Sequence, residues 1–148
     1  MLRSWKQDRS RLLALDLAAG SRFAAEMKFI RLYTGADGVS HFQDGAITLA
    51  ESAYAPPAPA YLISPREDAT GVVMTTLPEG WFGDWHPSPR LQWWFQLSGE
   101  LEVEVGDGEK RRLGPGAIVR VEDTTGRGHT TRVIGDAPVL AVYVHLPD

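Results

Sequence analysis

The segment Gly80–Gly99 of this 148-residue chain reads GWFGDWHPSPRLQWWFQLSG. Pro78-Glu79-Gly80 before it and Ser98-Gly99-Glu100 at its end are turn clusters, because glycine supplies positive φ and proline presets the bend. Between them, Leu91 to Leu97 is dense in aromatic residues and reads as a strand. Its polar groups stand at fixed intervals: Gly80, five residues, His86, one residue, Ser88, three residues, Gln92, six residues, Gly99.

The pattern continues outward on both sides. Leu101, Val103 and Val105 alternate with Glu102 and Glu104, the period of a half-buried strand. Gly106-Asp107-Gly108 turns the chain, Lys110–Arg112 reads as a solvated edge, and Leu113-Gly114-Pro115-Gly116 turns it again. Ala117–Val121, His129–Ile134 and Val139–Leu146 follow as strands, separated by Thr124–Gly128 and Gly135–Pro138. Upstream, Gly71–Leu77 has the β-branched content of a strand, as do Phe29–Tyr33 and the short run Ala46–Leu49. Tyr54–Tyr61 (YAPPAPAY) carries three prolines, which remove ladder donors, so it reads as an extended connector or an edge segment. Short strands at close spacing define an all-β sandwich or barrel in one domain. Residues 1–26 differ: they read as an N-terminal extension, either a short amphipathic helix or a weakly ordered arm. Met27 is an alternative start, and 27–148 is the β domain.

A net charge of −4 gives no basic surface for tracking phosphates, so nucleic acid is not an expected partner. No apolar run approaches the roughly 20 residues that span a bilayer, and Leu12–Gly20 is too short, with Asp16 at its centre, for a signal segment. The absence of cysteine fits a reducing compartment, and the expected location is the cytoplasm with no membrane partner.

The Gly80–Gly99 spacing resembles the first motif of the cupin superfamily, in which a glycine precedes a His-x-His pair, an acidic residue and a closing glycine. Gly116–Val133 resembles the second motif: Gly126, two residues, His129. The phrase VEDTTGRGH, with GELEVEVGDG and GPG upstream, looks like a group of small bacterial cupins. The resemblance implies a double-stranded β-helix, the cupin jelly-roll barrel. It also implies a site where three histidines and a glutamate hold iron, manganese, nickel or zinc. Carried over residue by residue, His86, Gln92 and His129 are the possible ligands. Ser88 replaces the second histidine and Gln92 the glutamate, which weakens the set, since an amide oxygen is a poorer donor than a carboxylate. Asp84 would restore a carboxylate if it pointed inward. One divalent transition metal, or none, is the resulting expectation.

Strand alternation extends the candidate pocket. With His86 inside, Asp84 and Ser88 share its face; Gln92 brings Trp94 and Gln96; His129 brings Thr131 and Val133 and leaves Thr130 and Arg132 outside. Tyr143 and His145 share one parity, while His41 reads as a surface turn residue and Arg90 as a solvated loop residue. Three readings of a small organic ligand in this pocket stay open. One is a metal-dependent oxygenase, lyase or isomerase with His86 and His129 as catalytic residues. The second is a metal-free binding protein without catalysis. The third is a metal-free isomerase or epimerase in which Asp84 or Asp123 supports a histidine base beside Tyr143. Trp93 and Phe95 fall on the outer face, where an apolar patch predicts a homodimer.

Overall fold

The computed structural model describes residues 24–148. Among them there is no α-helix, and the strands are β1 (Ala24–Thr34), β2 (Ser40–Ser52), β3 (Tyr61–Ile63), β4 (Gly71–Leu77), β5 (Phe82–His86), β6 (Gln92–Ser98), β7 (Glu100–Glu104), β8 (Lys110–Leu113), β9 (Ile118–Glu122), β10 (His129–Ile134) and β11 (Val139–His145). The expected helix or arm before Glu26 lies mostly outside the described residues; Ala24–Glu26 belong to β1.

The described residues form two compact units. The smaller takes 24–27 and 47–65. Within it the far end of β2 pairs antiparallel with β3 (Ala50↔Ile63, Ser52↔Tyr61), and the proline-rich connector between them is exposed. The larger unit takes 28–46 and 66–148 and holds everything that follows.

The larger unit is a two-layer jelly roll. One sheet runs β2-β1-β9-β6-β11-β4, the other β5-β10-β7-β8. β1 runs parallel to β9 (Leu32↔Val121), whereas β9, β6, β11 and β4 are antiparallel in turn. Alternation explains the layer between the sheets. Leu101, Val103, Val119, Val121, Val133, Val139 and Ala141 are all buried, and their strand neighbours Glu102, Glu104 and Arg120 point out. At roughly 25 cal/mol per Å² of apolar surface, each fully buried valine or leucine contributes about 1.5–3 kcal/mol.

The outer face of the larger sheet departs from expectation at Trp93. The expectation sets it in an apolar patch that a second copy covers, yet within its own chain Trp93 is only 7% exposed. Phe29 packs edge-on against it at 5.1 Å, Arg120 lies over its ring, and its indole N–H donates to Glu67 at 2.8 Å. Burial alone would raise the Glu67 carboxyl, but the Trp93 and Arg120 hydrogen bonds hold it below the usual carboxylate range. A cover supplied from 26 residues away leaves no trace in local periodicity. Thr130 is likewise buried rather than outward, while Arg132 is exposed over Phe82.

Candidate functional site

The two histidines meet because β5 and β10 are antiparallel neighbours with His86 and His129 in register. Directly opposed side chains in such a pair sit close enough to touch, and the ring centroids lie 4.8 Å apart. The approach depends on Gly128. It has φ +77°, and a Cβ there would stand 1.9 Å from the His86 carbonyl oxygen. Only glycine allows the Thr124–Gly128 loop to press so closely against the end of β5. Two further bonds fix the loop: Ser40 donates its hydroxyl to the Gly128 carbonyl at 2.7 Å, and the Ser88 amide donates to the Asp123 carbonyl at 2.9 Å.

Each imidazole is tied through Nδ1. His86 lies 2.6 Å from the Asp84 carbonyl oxygen, which can only accept, so Nδ1 carries the proton and, in the neutral ring, Nε2 the lone pair. His129 Nδ1 is 2.5 Å from Asp123 Oδ2, at a carboxyl group that is wholly buried. Burial pushes the Asp123 carboxyl above its ordinary value; the bond to His129 and the charge of that ring oppose the rise. Asp123 Oδ1 is buried and has no hydrogen-bond partner among the described residues. When Asp123 is ionised it orients His129 as a carboxylate orients a general base, with Nε2 left as acceptor.

Both histidines line a cavity of about 80 Å³ between the sheets, walled by Trp81, Trp94, Thr131 and Tyr143 together with core side chains. With about 30 Å³ for each liquid water, it has room for two or three waters or a fragment of a few heavy atoms. Trp94 and Tyr143 meet edge-to-face at 4.9 Å, and burial raises the Tyr143 phenol above its ordinary value. A larger depression of about 590 Å³ lies elsewhere, bounded by Lys28, Phe29, Asp44 and Ile118. It is open to solvent and has no histidine on its wall, so the chemistry belongs to the smaller cavity.

The remaining candidates divide. Thr131, Trp94 and Tyr143 share the cavity with the histidines. Ser88, Gln92 and Gln96 are buried but stand off its wall. Gln92 donates to the Ser88 hydroxyl at 3.2 Å, and Ser88 donates in turn to the Arg90 carbonyl. Gln96 donates to the carbonyls of Gly99 and Leu113, both at 2.8 Å, bracing two turns. Asp84 is exposed, and its carboxylate accepts from the Trp85 amide; the inward orientation expected from alternation fails because the β5–β10 register shifts between His129 and Thr131. His145 does not reach the cavity although Tyr143 does. His41 belongs to β2 and bridges Asp107 through Nδ1 at 2.8 Å and Asp37 through Nε2 at 2.9 Å. Trp81 is the wall residue that sequence reasoning missed. Its signal was parity with Gly83, whose missing side chain leaves room for the indole.

The donor set is a poor match for a transition ion. Among the described residues no group of three or more His, Cys, Asp or Glu side chains converges on one point. Two imidazoles face the cavity, Gln92 is engaged by Ser88, and the Asp123 carboxyl already holds His129. The three-histidine, one-glutamate set of the resemblance is therefore not assembled from these residues.

Two sheets in this order, with paired glycine-bounded histidine motifs, define a cupin. Residues 73–145 match the family described as "Cupin domain", and the chain belongs to that family. No curated protein matches it. Among solved structures it is similar to a conserved protein of unknown function, SPY1581, from Streptococcus pyogenes, at 20% identity and a TM-score of 0.42, covering 56% of this chain and 69% of that one. It is also similar to the Cnp3 cupin domain of Schizosaccharomyces pombe, at 16% identity and a TM-score of 0.45, covering 86% of both chains. Among the described residues no helix is long and apolar enough to cross a membrane.

Proposed function

We propose that this cupin binds a small, uncharged organic molecule, part of which enters the cavity between Trp81, Trp94 and Tyr143, and that His129 serves there as a general base without a metal. One observation carries the reading: the wholly buried Asp123 carboxyl is bonded at 2.5 Å to His129 Nδ1. A buried carboxylate that fixes the tautomer and orientation of an imidazole costs desolvation, and the arrangement favours a ring that accepts a proton at Nε2. His86, with Nδ1 bound to a carbonyl and its ring centroid 4.8 Å from that of His129, supplies a second acceptor, while Thr131 and Tyr143 supply hydroxyls that can donate to a ligand oxygen. Among the described residues no aspartate, glutamate, lysine or arginine lines the cavity, which favours a neutral ligand. The lack of cysteine favours a reducing, cytoplasmic location.

The test is deuterium exchange at carbon, followed by NMR, for a panel of small ketones and aldehydes incubated with the protein in D₂O. Exchange by the wild type should fall about 100-fold or more in His129→Gln and by a lesser factor in Asp123→Asn, the usual scale of general-base loss. Near-stoichiometric transition metal in the purified protein, lost in His86→Ala/His129→Ala, would instead establish the metal reading. Binding without any exchange would leave a purely ligand-binding cupin.

A further inference from the structure

β4 ends the larger sheet and β5 ends the smaller one. The chain passes from one edge to the other through the turn at 78–81, and among the described residues no strand pairs across the gap. The inner face of β4 borders that gap. Its register sets Leu77 opposite Val139, Thr75 opposite Ala141 and Val73 opposite Tyr143, and directly opposed residues share a face of the sheet. Val139 and Ala141 are buried between the layers, while Leu77 and Tyr143 line the cavity. Val73 therefore belongs to the inward row, yet it is 43% exposed. An inward-facing valine reaches solvent where the interior opens sideways. On the β5 side stands Trp81, half-buried on the cavity wall. Its indole fills the notch left by Gly83, where a Cβ would lie 2.5 Å from the ring edge and 3.2 Å from His86 Cε1. The Trp81 backbone is held on both sides: its amide donates to the Pro78 carbonyl at 3.0 Å, and its carbonyl accepts from the Val133 amide at 2.9 Å.

We infer that the seam between β4 and β5 takes the tail of the ligand, so that Val73 and Trp81 set specificity and the ligand is a carbonyl compound with a straight apolar chain. The inference rests on the reading of the cavity as a site for a small neutral molecule, and it adds what that molecule carries. Three observations select this ligand. First, a cavity of about 80 Å³ accepts only a few heavy atoms, so the remainder of a larger molecule has to leave through the wall. Second, Leu32, Phe42, Leu101 and Val103 are buried on that wall, whereas Leu77, Trp81 and Tyr143 are partly exposed beside the seam. Third, Val73, Thr75, Leu77 and Trp81 bring one hydroxyl and no charge. They suit methylene groups and leave a carboxylate or ammonium tail without a partner. A slit between two strand edges, with Trp81 fixed on one side, accepts a chain more readily than a branched group. The carbonyl end then lies toward His129, and the tail runs out past Trp81 over Thr75 and Val73.

A chain-length series tests this. Dissociation constants of the straight 2-alkanones from acetone to 2-octanone are measured by ligand-observed NMR titration of the full chain, with deuterium exchange at carbon followed in the same samples. Wild-type affinity should rise by up to about fourfold for each added methylene, the value for full burial. Val73→Asp should weaken 2-octanone binding by about tenfold or more, because the new carboxylate has to lose water beside the tail. Val72→Asp, one residue away on the opposite face of β4, should not. His129→Gln should lose exchange and keep the dependence on chain length, which separates this inference from the general-base reading. A flat series, no binding of any of these ketones, or equal effects of Val72→Asp and Val73→Asp overturns the inference. Dependence on chain length without exchange in any sample supports the seam and refutes the base. Should Val73→Asp misfold, Val73→Thr takes its place: a loss of about two- to threefold in 2-octanone affinity supports the seam, and no loss refutes it.

Discussion

Gly128→Ala should both destabilise the fold and pull the histidines apart. Two costs add at this position. Its φ of +77° puts an L residue in the left-handed region, at about 1–2 kcal/mol. The new methyl would also stand 1.9 Å from the His86 carbonyl oxygen and 2.4 Å from the Pro87 nitrogen, both backbone atoms that cannot rotate away. Backbone displacement of that kind costs about 1–3 kcal/mol. The total is about 2–5 kcal/mol, or a fall in Tm on the order of 10 °C for a domain of this size. Gly135→Ala separates the terms, because its φ is +80° but nothing lies within 4 Å of the added Cβ; it should lose only the conformational part. Urea melts of the three proteins measure the difference, and the nuclear Overhauser effect between the His86 and His129 rings reports whether their contact survives. If Gly128→Ala costs no more than Gly135→Ala, or leaves the ring contact intact, the claim that this glycine brings the two motifs together is wrong.

Two other perturbations probe the frame around the site. Gln96→Leu keeps the volume but leaves the Gly99 and Leu113 carbonyls without their donor; at about 1–3 kcal/mol for each buried group left unsatisfied, the loss should be about 2–6 kcal/mol in a urea melt. A loss below about 1 kcal/mol would mean that water replaces the amide. His41 offers a pH test. Hydrogen bonds to Asp37 and then Asp107 raise its pKa, while Asp37 is lowered by the Val39 amide and then His41, and Asp107 by the Glu109 amide and then His41. The raised histidine stabilises the fold fully below its unfolded value of about 6.5 and loses that contribution as pH rises through its folded value. The lowered aspartates contribute above about 3.9 and lose it as pH falls through their folded values. The stability gap between wild type and His41→Gln should therefore be widest between about pH 4 and 6.5 and close on the alkaline side; a gap that grows with pH contradicts the bridge.

Much of the architecture was legible because strand burial has a period of two. Leu101, Val103 and Val105 against Glu102 and Glu104 gave β7 its inward face, and glycine and proline marked the turns around it. The spacing of the two motifs likewise picked out His86 and His129. Alternation failed where the backbone is irregular or where the partner is remote. Alternation puts Asp84 inward only where the strand stays regular through His86, but β5 is only five residues long and its pairing with β10 shifts register. Ser88 and Gln92 occupy the spacing of metal ligands yet bond to each other and to the Arg90 carbonyl, a choice that depends on rotamers rather than on residue type.

The sequence by itself determined an all-β fold, most of the strand faces and the two histidines, since these follow from local periodicity, turn chemistry and motif spacing. Tertiary structure alone decided that Asp123, six residues from His129, buries its carboxyl against that ring, and that Gly128 presses the second motif onto the first. It also decided which part of the aromatic face Glu67, Arg120 and Phe29 cover and which part stays bare. Such outcomes depend on where segments distant in the chain come to lie, and a sequence pattern carries only its neighbours.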